Sequence, residues 1–266
     1  MITAAGVEVI KATGVTKRFG AMVAVDGVDY SLHENEVAGI IGSNGAGKTT
    51  FFNLLTGYFL PDEGSIHYRG EDITRATPQQ RVARGIMRTF QLTSTFDNLS
   101  VNDNLVLAFF RAHRKASLLR LLVNTRKQHR NDEKIAATVD TFGLGGVLDR
   151  QARHLSLGEK RRLEIAMAIL AEPKVLLLDE PLAGLAETEI RSVLEVLRRH
   201  VGRQTMLIVE HKISQVKDFV QRLTVMHEGR IIAEGSYEEC MRSAAVRRSY
   251  WQIDLPDEAG EPVPAR

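Results

Sequence analysis

The sequence predicts an α/β fold built on a parallel sheet, flanked by an antiparallel β subdomain and an α-helical subdomain. Three observations carry this expectation. Short apolar runs at Val37–Ile41, Val175–Leu178 and Thr205–Val209 end in polar residues at their carboxyl ends. A glycine-rich segment, Gly42–Thr49, separates the first run from a helical pattern. Residues 7–35 alternate apolar and polar positions around Gly14, Gly20 and Gly27, which reads as antiparallel strands joined by turns.

Taken in order, Val37–Ile41 is predicted to be a buried strand and Thr50–Thr56 a helix, ended by Gly57 with Pro61 soon after. Gly64–Gly70 reads as an edge strand, and residues 78–142 read as helical. Within them a basic run, 111–130, holds seven Lys/Arg residues and no acid, with Leu118, Leu119, Leu121 and Leu122 between. Leu157–Ala171 is a strong helical pattern, Val175–Leu178 a buried strand, Thr188–His200 a helix and Thr205–Val209 a further buried strand. Leu223–Met226 and Arg230–Ala233 read as a closing hairpin, and the tail beyond Trp251, rich in Pro, Gly and acid, as disordered. No internal repeat is visible. In open α/β sheets, ligands bind off the carboxyl ends of parallel strands. The residues that follow the three buried runs are therefore expected to share one site.

The 266 residues suffice for one large α/β domain, or a core with a helical subdomain. A formal net charge of +2 is too small to argue for nucleic acid. The single cysteine, Cys240, rules out an intrachain disulfide framework and a Cys-based zinc site, and suits a reducing, cytosolic setting. The first residues lack a basic start followed by an apolar core, so no secretory signal is expected. No stretch of 18 apolar residues occurs, so work at a membrane would need a spanning partner.

Gly42-Ser43-Asn44-Gly45-Ala46-Gly47-Lys48-Thr49, followed by Thr50, matches G-x-x-x-x-G-K-[ST]. Glycines let the backbone curl so that its N–H groups point inward at phosphate oxygens, and the following helix adds its positive end. Lys48 would reach the β- and γ-phosphates of ATP, and the Thr49 hydroxyl would ligate Mg²⁺. The run Val175–Leu178 ends in Asp179-Glu180. Burying carboxylates there is costly unless they meet a cation or donors. Asp179 is therefore expected to hold Mg²⁺, and Glu180 to polarise an attacking water as general base.

Leu155-Ser156-Leu157-Gly158-Glu159-Lys160 opens a helix ahead of the Val175 strand. Ser156 with Glu159 is a capping box, and amides near Gly158 at a helix start can bind phosphate. This segment resembles the LSGGQ signature of the ATP-binding cassette (ABC) family, and with it the chain resembles that family over roughly residues 7–237. The resemblance implies a P-loop NTPase core with an antiparallel β subdomain and an α-helical signature subdomain near residues 90–165, followed by a C-terminal extension, 238–266. It also implies that Ser156 and Gly158 face a nucleotide held by a second cassette, in a homodimer or a mixed pair. Phe19 stands where an aromatic stacks on adenine. Gln91, in Arg88-Thr89-Phe90-Gln91, matches the glutamine that links γ-phosphate and Mg²⁺ to the membrane partner. His211 matches the switch histidine that contacts the γ-phosphate and steadies Glu180.

The chain departs from the family pattern at Leu157 and Glu159, where Gly and Gln are usual, at Ala186, where Asp is common, and at Lys212 after the histidine. Arg161-Arg162-Leu163-Glu164-Ile165-Ala166 and Glu180-Pro181-Leu182-Ala183-Gly184-Leu185 are similar to cassettes of branched-chain (hydrophobic) amino-acid importers. Urea and short-amide importer cassettes, and those that extract lipopolysaccharide, look almost the same. The importer resemblance implies integral-membrane permease subunits, a periplasmic or extracellular solute-binding protein and a peripheral seat on the cytoplasmic face of the cell (inner) membrane, with no nucleic acid. The basic run 111–130 reads either as a lipid-facing segment or as a solvated helical insertion. Two rival classes stay open: a soluble ABC ATPase acting on nucleic acid, and a small-molecule P-loop kinase. The coiled-coil arms, zinc modules or second cassette of the former are not visible, and the signature-like helix argues against the latter.

Overall fold

The computed structural model describes residues 6–89, 95–112, 133–211 and 216–251. Gln91, residues 113–130 of the basic run, Lys212 and the tail beyond Trp251 lie outside the described residues.

The alternating N-terminal segment forms β1 (Glu8–Phe19) and β2 (Met22–His33), an antiparallel pair whose register slips between Ala12 and Val15 and again between Val15 and Lys17. With β4 (Glu63–Tyr68) and β5 (Glu71–Asp72) they make a four-stranded sheet ordered β2-β1-β4-β5. The second sheet is ordered β10-β9-β3-β8-β7-β6. Its members are β3 (Val37–Gly42), β6 (Ile86–Arg88), β7 (Val175–Asp179), β8 (Thr205–Glu210), β9 (Arg222–His227) and β10 (Arg230–Gly235). The three predicted runs lie side by side and parallel as β3, β8 and β7.

Residues of these strands alternate between two cores, as the period of two demands. Val37, Ile41, Leu176, Leu178, Met206 and Ile208 face the helical layer. Ala38, Ile40, Val175, Leu177, Leu207 and Val209 face α1 (Lys48–Thr56) and the antiparallel sheet. Central strands buried on both faces have no polar side to show, which is why they read as continuous apolar runs. The helical layer holds α3 (Val101–Ala112), α4 (Glu133–Thr141), α5 (Leu157–Leu170) and α6 (Glu187–Arg198). The helices α7 (Tyr237–Arg242) and α8 (Ala244–Trp251) close the chain beside the final hairpin.

Three expectations are corrected. Helix α1 starts at Lys48 rather than Thr50, because the left-handed Gly47 turns directly into it. Residues 78–142 are not uniformly helical. After α2 (Pro78–Ala83), Ile86–Arg88 pairs in parallel with Val175–Leu177 and becomes the sheet edge. Tertiary pairing overrides local propensity in so short a strand. Gly64–Gly70, expected at an edge, is β4, which pairs with β1 on one side and β5 on the other. The expected closing hairpin forms as β9 and β10, and β9 also runs parallel beside β3.

Arg81, fully buried on α2, donates to the carbonyls of Leu54 and Leu55 at 2.7 Å and of Ile73 at 2.7 Å. It thereby satisfies the Leu55 carbonyl in the last turn of α1 and adds to the Leu54 carbonyl, which also accepts the Gly57 N–H at 3.2 Å, and fixes the helix that carries the glycine loop.

Candidate functional site

The glycine loop runs from β3 into α1. Gly47 has φ +96°, and a Cβ there would stand 2.3 Å from the carbonyl oxygen of Ala24, so only glycine fits. That contact seats the β1–β2 hairpin against the loop, with the Gly229 N–H bonded to the Ala46 carbonyl at 3.0 Å from the other side. Gly47 gives α1 no side-chain cap, so the first N–H groups of the helix, at Lys48, Thr49 and Thr50, are left for a ligand. Lys48 is 4% exposed, and its Nζ donates to the carbonyls of Gly42 at 2.8 Å and Ser43 at 3.0 Å. Its ammonium curls back over the loop. Burial pulls the Lys48 pKa below its ordinary value, opposed by the charges of Glu180, Asp179 and Glu210.

Three carboxylates converge on this ammonium from β7, β8 and the turn after β7. His211 joins them: its Nε2 lies 2.5 Å from Glu180 Oε1, and its Nδ1 lies 3.4 Å from Lys48 Nζ. The ammonium only donates, so the network assigns Nδ1 as acceptor and Nε2–H as donor to Glu180. Lys48, His211 and Glu180 thus form one chain of contacts between the glycine loop and the ends of β7 and β8. Glu180 sits at φ +46°, an uncommon left-handed conformation for a residue with a side chain. Its N–H donates to the Val209 carbonyl at 2.9 Å, which holds the turn to β8.

Asp179 is fully buried and ion-paired with Arg88 at 3.0 Å. Burial raises its pKa, the Arg88 cation opposes that, and Glu180 adds to it. Asp179 Oδ1 has no hydrogen-bond partner among the described residues. A buried, orphaned carboxylate oxygen fits a cation that arrives with its ligand. Among the described residues no group of three His, Cys, Asp or Glu side chains forms a self-contained metal site. The fit to Mg²⁺, which binds through one or two carboxylates plus phosphate oxygens, rests on that orphaned Asp179 oxygen. The exposed Thr49 is the other described residue predicted to ligate it.

Arg88 was not singled out from the sequence. Its guanidinium donates to Asn53 Oδ1 at 2.6 Å, with its carbon 4.9 Å from the ring centres of both Phe52 and Tyr58. Glu210 directly follows the Thr205–Val209 run and so falls among the residues expected to share the site, but the sequence assigns it no role. Glu189 was missed because nothing in a helical pattern marks a side chain that reaches across to another helix.

Ser156 caps α5 through the predicted capping box with Glu159. The Gly158 N–H donates to Glu189 Oε1, on α6, at 3.1 Å, and Ser156 Oγ lies 3.4 Å from the same oxygen. Hydrogen bonds from the Ala186 N–H, then from Gly158 and Ser156, hold the Glu189 pKa below its ordinary value. The start of α5 therefore already receives an anion, an internal one. Phe19 ends β1 opposite Met22, 41% exposed, with Phe59 edge-on at 5.3 Å. The hairpin that carries it also carries Ala24, which touches the glycine loop. The structure thus brings Lys48, Asp179, Glu180 and His211 together, carries Phe19 on the hairpin whose Ala24 touches the glycine loop, and holds Ser156 and Gly158 on α5 against Glu189. Gln91 lies outside the described residues.

The profile of the ABC transporter family matches residues 25–183. The chain is 36% identical over 244 residues to the high-affinity branched-chain amino acid transport ATP-binding protein LivG of Salmonella typhimurium, covering 89% of this chain and 95% of that protein. It is 35% identical over 249 residues to BraF of Pseudomonas aeruginosa, of the same description, covering 91% and 97%. The lipopolysaccharide export system ATP-binding protein LptB of Haemophilus influenzae is 33% identical over 247 residues, at 91% and 97% coverage. Among solved structures, the ADP conformation of MJ1267, an ATP-binding cassette of an ABC transporter, superposes with a TM-score of 0.77 and 31% identity, covering 92% of this chain and 99% of that one.

Proposed function

The chain belongs to the ABC transporter family, and on that footing we propose that it is the ATP-hydrolysing subunit of a branched-chain amino-acid importer. It works as one of a pair of cassettes on the cytoplasmic face of the inner membrane. Integral-membrane permease subunits lie above the pair, and a periplasmic solute-binding protein supplies the cargo. The observation that carries the hydrolytic reading is the Lys48–His211–Glu180 chain at the strand ends. The cargo rests on the similarity to LivG and BraF. Among the described residues no helix is long and apolar enough to cross a membrane, which suits a subunit that needs a spanning partner.

In this reading the amides of Gly42–Thr50 and the Lys48 ammonium grip the triphosphate, and Phe19 lies against adenine. Lys48 exchanges its carbonyl partners for phosphate oxygens. Thr49, Asp179 and Gln91 would hold Mg²⁺, which supplies charge neutralisation at the phosphates. Glu180 accepts the proton of the attacking water, and His211 fixes the rotamer of that carboxylate. Ser156 and the Gly158 N–H meet the phosphate held by the partner cassette, so two chains enclose two nucleotides. ATP must favour the closed pair over the open one more than ADP does.

The cargo is tested in liposomes holding this chain with permease subunits from the same genome, and with a solute-binding protein from that genome added. ATP-driven uptake of leucine, isoleucine and valine is expected. Uptake of urea, or extraction of lipid, in their place would overturn it.

A further inference from the structure

We propose that Glu210 is a positioning residue for hydrolysis, one buried carboxylate that pins the backbone on both sides of the Glu180–His211 pair. The proposal rests on the hydrolytic roles given to those two residues.

Glu210 is the last residue of β8 and is 3% exposed. Its Oε1 accepts the N–H of Leu182 at 2.8 Å, in a fully buried hydrogen bond. Its Oε2 accepts the N–H of His211 at 3.3 Å. Leu182 lies two residues beyond Glu180, and the Ala183 N–H closes back on the Glu180 carbonyl at 3.1 Å. The turn that holds Glu180 at its left-handed φ is thus tied at one end to the Val209 carbonyl and at the other to the Glu210 side chain. The same carboxylate holds the amide of His211, whose ring reaches back to Glu180 Oε1.

A carboxylate in this setting is costly. Burial and the neighbouring Glu180 raise its pKa to about 7, against the two amides and Arg161, which lower it. Arg161, itself buried on α5, is ion-paired with Glu164 at 3.0 Å. An apolar residue would fill the end of β8 at lower cost but would leave the Leu182 N–H without an acceptor. The pair depends on a contact of 2.5 Å between side chains on two separate segments. Glu210 is the side chain that both segments share.

The test measures steady-state hydrolysis and ATP affinity on the full chain for wild type, Glu210→Ala, Glu210→Gln and Glu180→Gln. Gln keeps one carbonyl acceptor and loses the other, so it should fall between Glu and Ala. A misplacement of about 1 Å can cost about 10²-fold in rate. The expected kcat falls about 10²-fold in Glu210→Ala and about 10-fold in Glu210→Gln, with ATP Kd unchanged within about 2-fold in both. Wild-type kcat in Glu210→Ala, or a loss of ATP affinity that matches the loss of rate, overturns the proposal. If Glu210→Ala does not fold, Glu210→Gln decides: a reduced kcat at wild-type Kd supports it, and a wild-type kcat overturns it. Glu180→Gln separates the two levels. Wild-type hydrolysis there removes the role of Glu180 and this inference with it. A silent Glu180→Gln beside a fully active Glu210→Ala removes the inference alone.

Discussion

His211 Nε2 stands 2.5 Å from Glu180 Oε1, while Nδ1 of the same ring lies 3.4 Å from Lys48 Nζ. One imidazole therefore touches both the group that would grip the phosphates and the group that would activate water. The contact joins three segments far apart in the chain. It forms because β3, β7 and β8 are parallel neighbours whose carboxyl ends open on one edge.

The Arg88–Asp179 pair gives a first prediction. Arg88→Met leaves Asp179 buried without its cation, and removing one partner of a buried pair costs about 3–5 kcal/mol. Asp179→Asn in the same chain removes the stranded charge and should return part of that stability. Urea midpoints of the two single variants and the double variant give the coupling, expected at about 1.5–3 kcal/mol. A coupling of zero would show that the pair is not energetically linked.

A second prediction concerns Gly158. A Cβ there would lie 2.5 Å from Glu189 Oε1, so Gly158→Ala must push the carboxylate aside or shift the start of α5. The glycine loop is untouched, and ATP affinity of the isolated chain should stay within about 2-fold of wild type. Pairing of cassettes on ATP should weaken, as read by light scattering in a Glu180→Gln background. Unchanged pairing would remove Gly158 from the interface.

The third follows from the pKa of Glu210, raised to about 7 from 4.5. Between those values the folded chain binds more protons than the unfolded chain. This group's contribution to stability is therefore complete below about pH 4.5 and is lost as pH rises through about 7. Between about pH 5 and pH 8 the Tm of wild type should fall more than that of Glu210→Gln, in which the group is absent. Parallel Tm curves would contradict the assignment. Burial sets the shift and Glu180 adds to it, while the Leu182 and His211 amides and the Arg161 cation oppose it.

Much of this arrangement is legible in the residues themselves. Val175–Leu178 and Thr205–Val209 read as strands because each is buried on both faces, and Gly47 is demanded by the approach of the Ala24 carbonyl. Lys48 follows from the glycine-loop pattern, Asp179 and Glu180 from the strand end they occupy, and His211 from the resemblance to the ABC family. Ile86–Arg88 is less legible, since a strand of three residues has no period to detect and exists through its pairing with β7. Arg88 and Glu189 act through contacts with distant segments, and no local spacing announces them. Glu210 follows an apolar run as Asp179 does, so its place at the strand ends is legible, but its bond to the Leu182 amide exists because the turn after β7 packs on the end of β8.

The proposed chemistry turns on Glu180, and single-turnover phosphate release tests it most directly. Wild type and Glu180→Gln are loaded with Mg-ATP under conditions where both bind it. Loss of a general base costs about 10²–10⁴-fold, so Glu180→Gln is expected to hold ATP with wild-type affinity and to release phosphate slower by about that factor. Phosphate release at the wild-type rate would contradict the role of Glu180 and the chemistry built on its contact with His211.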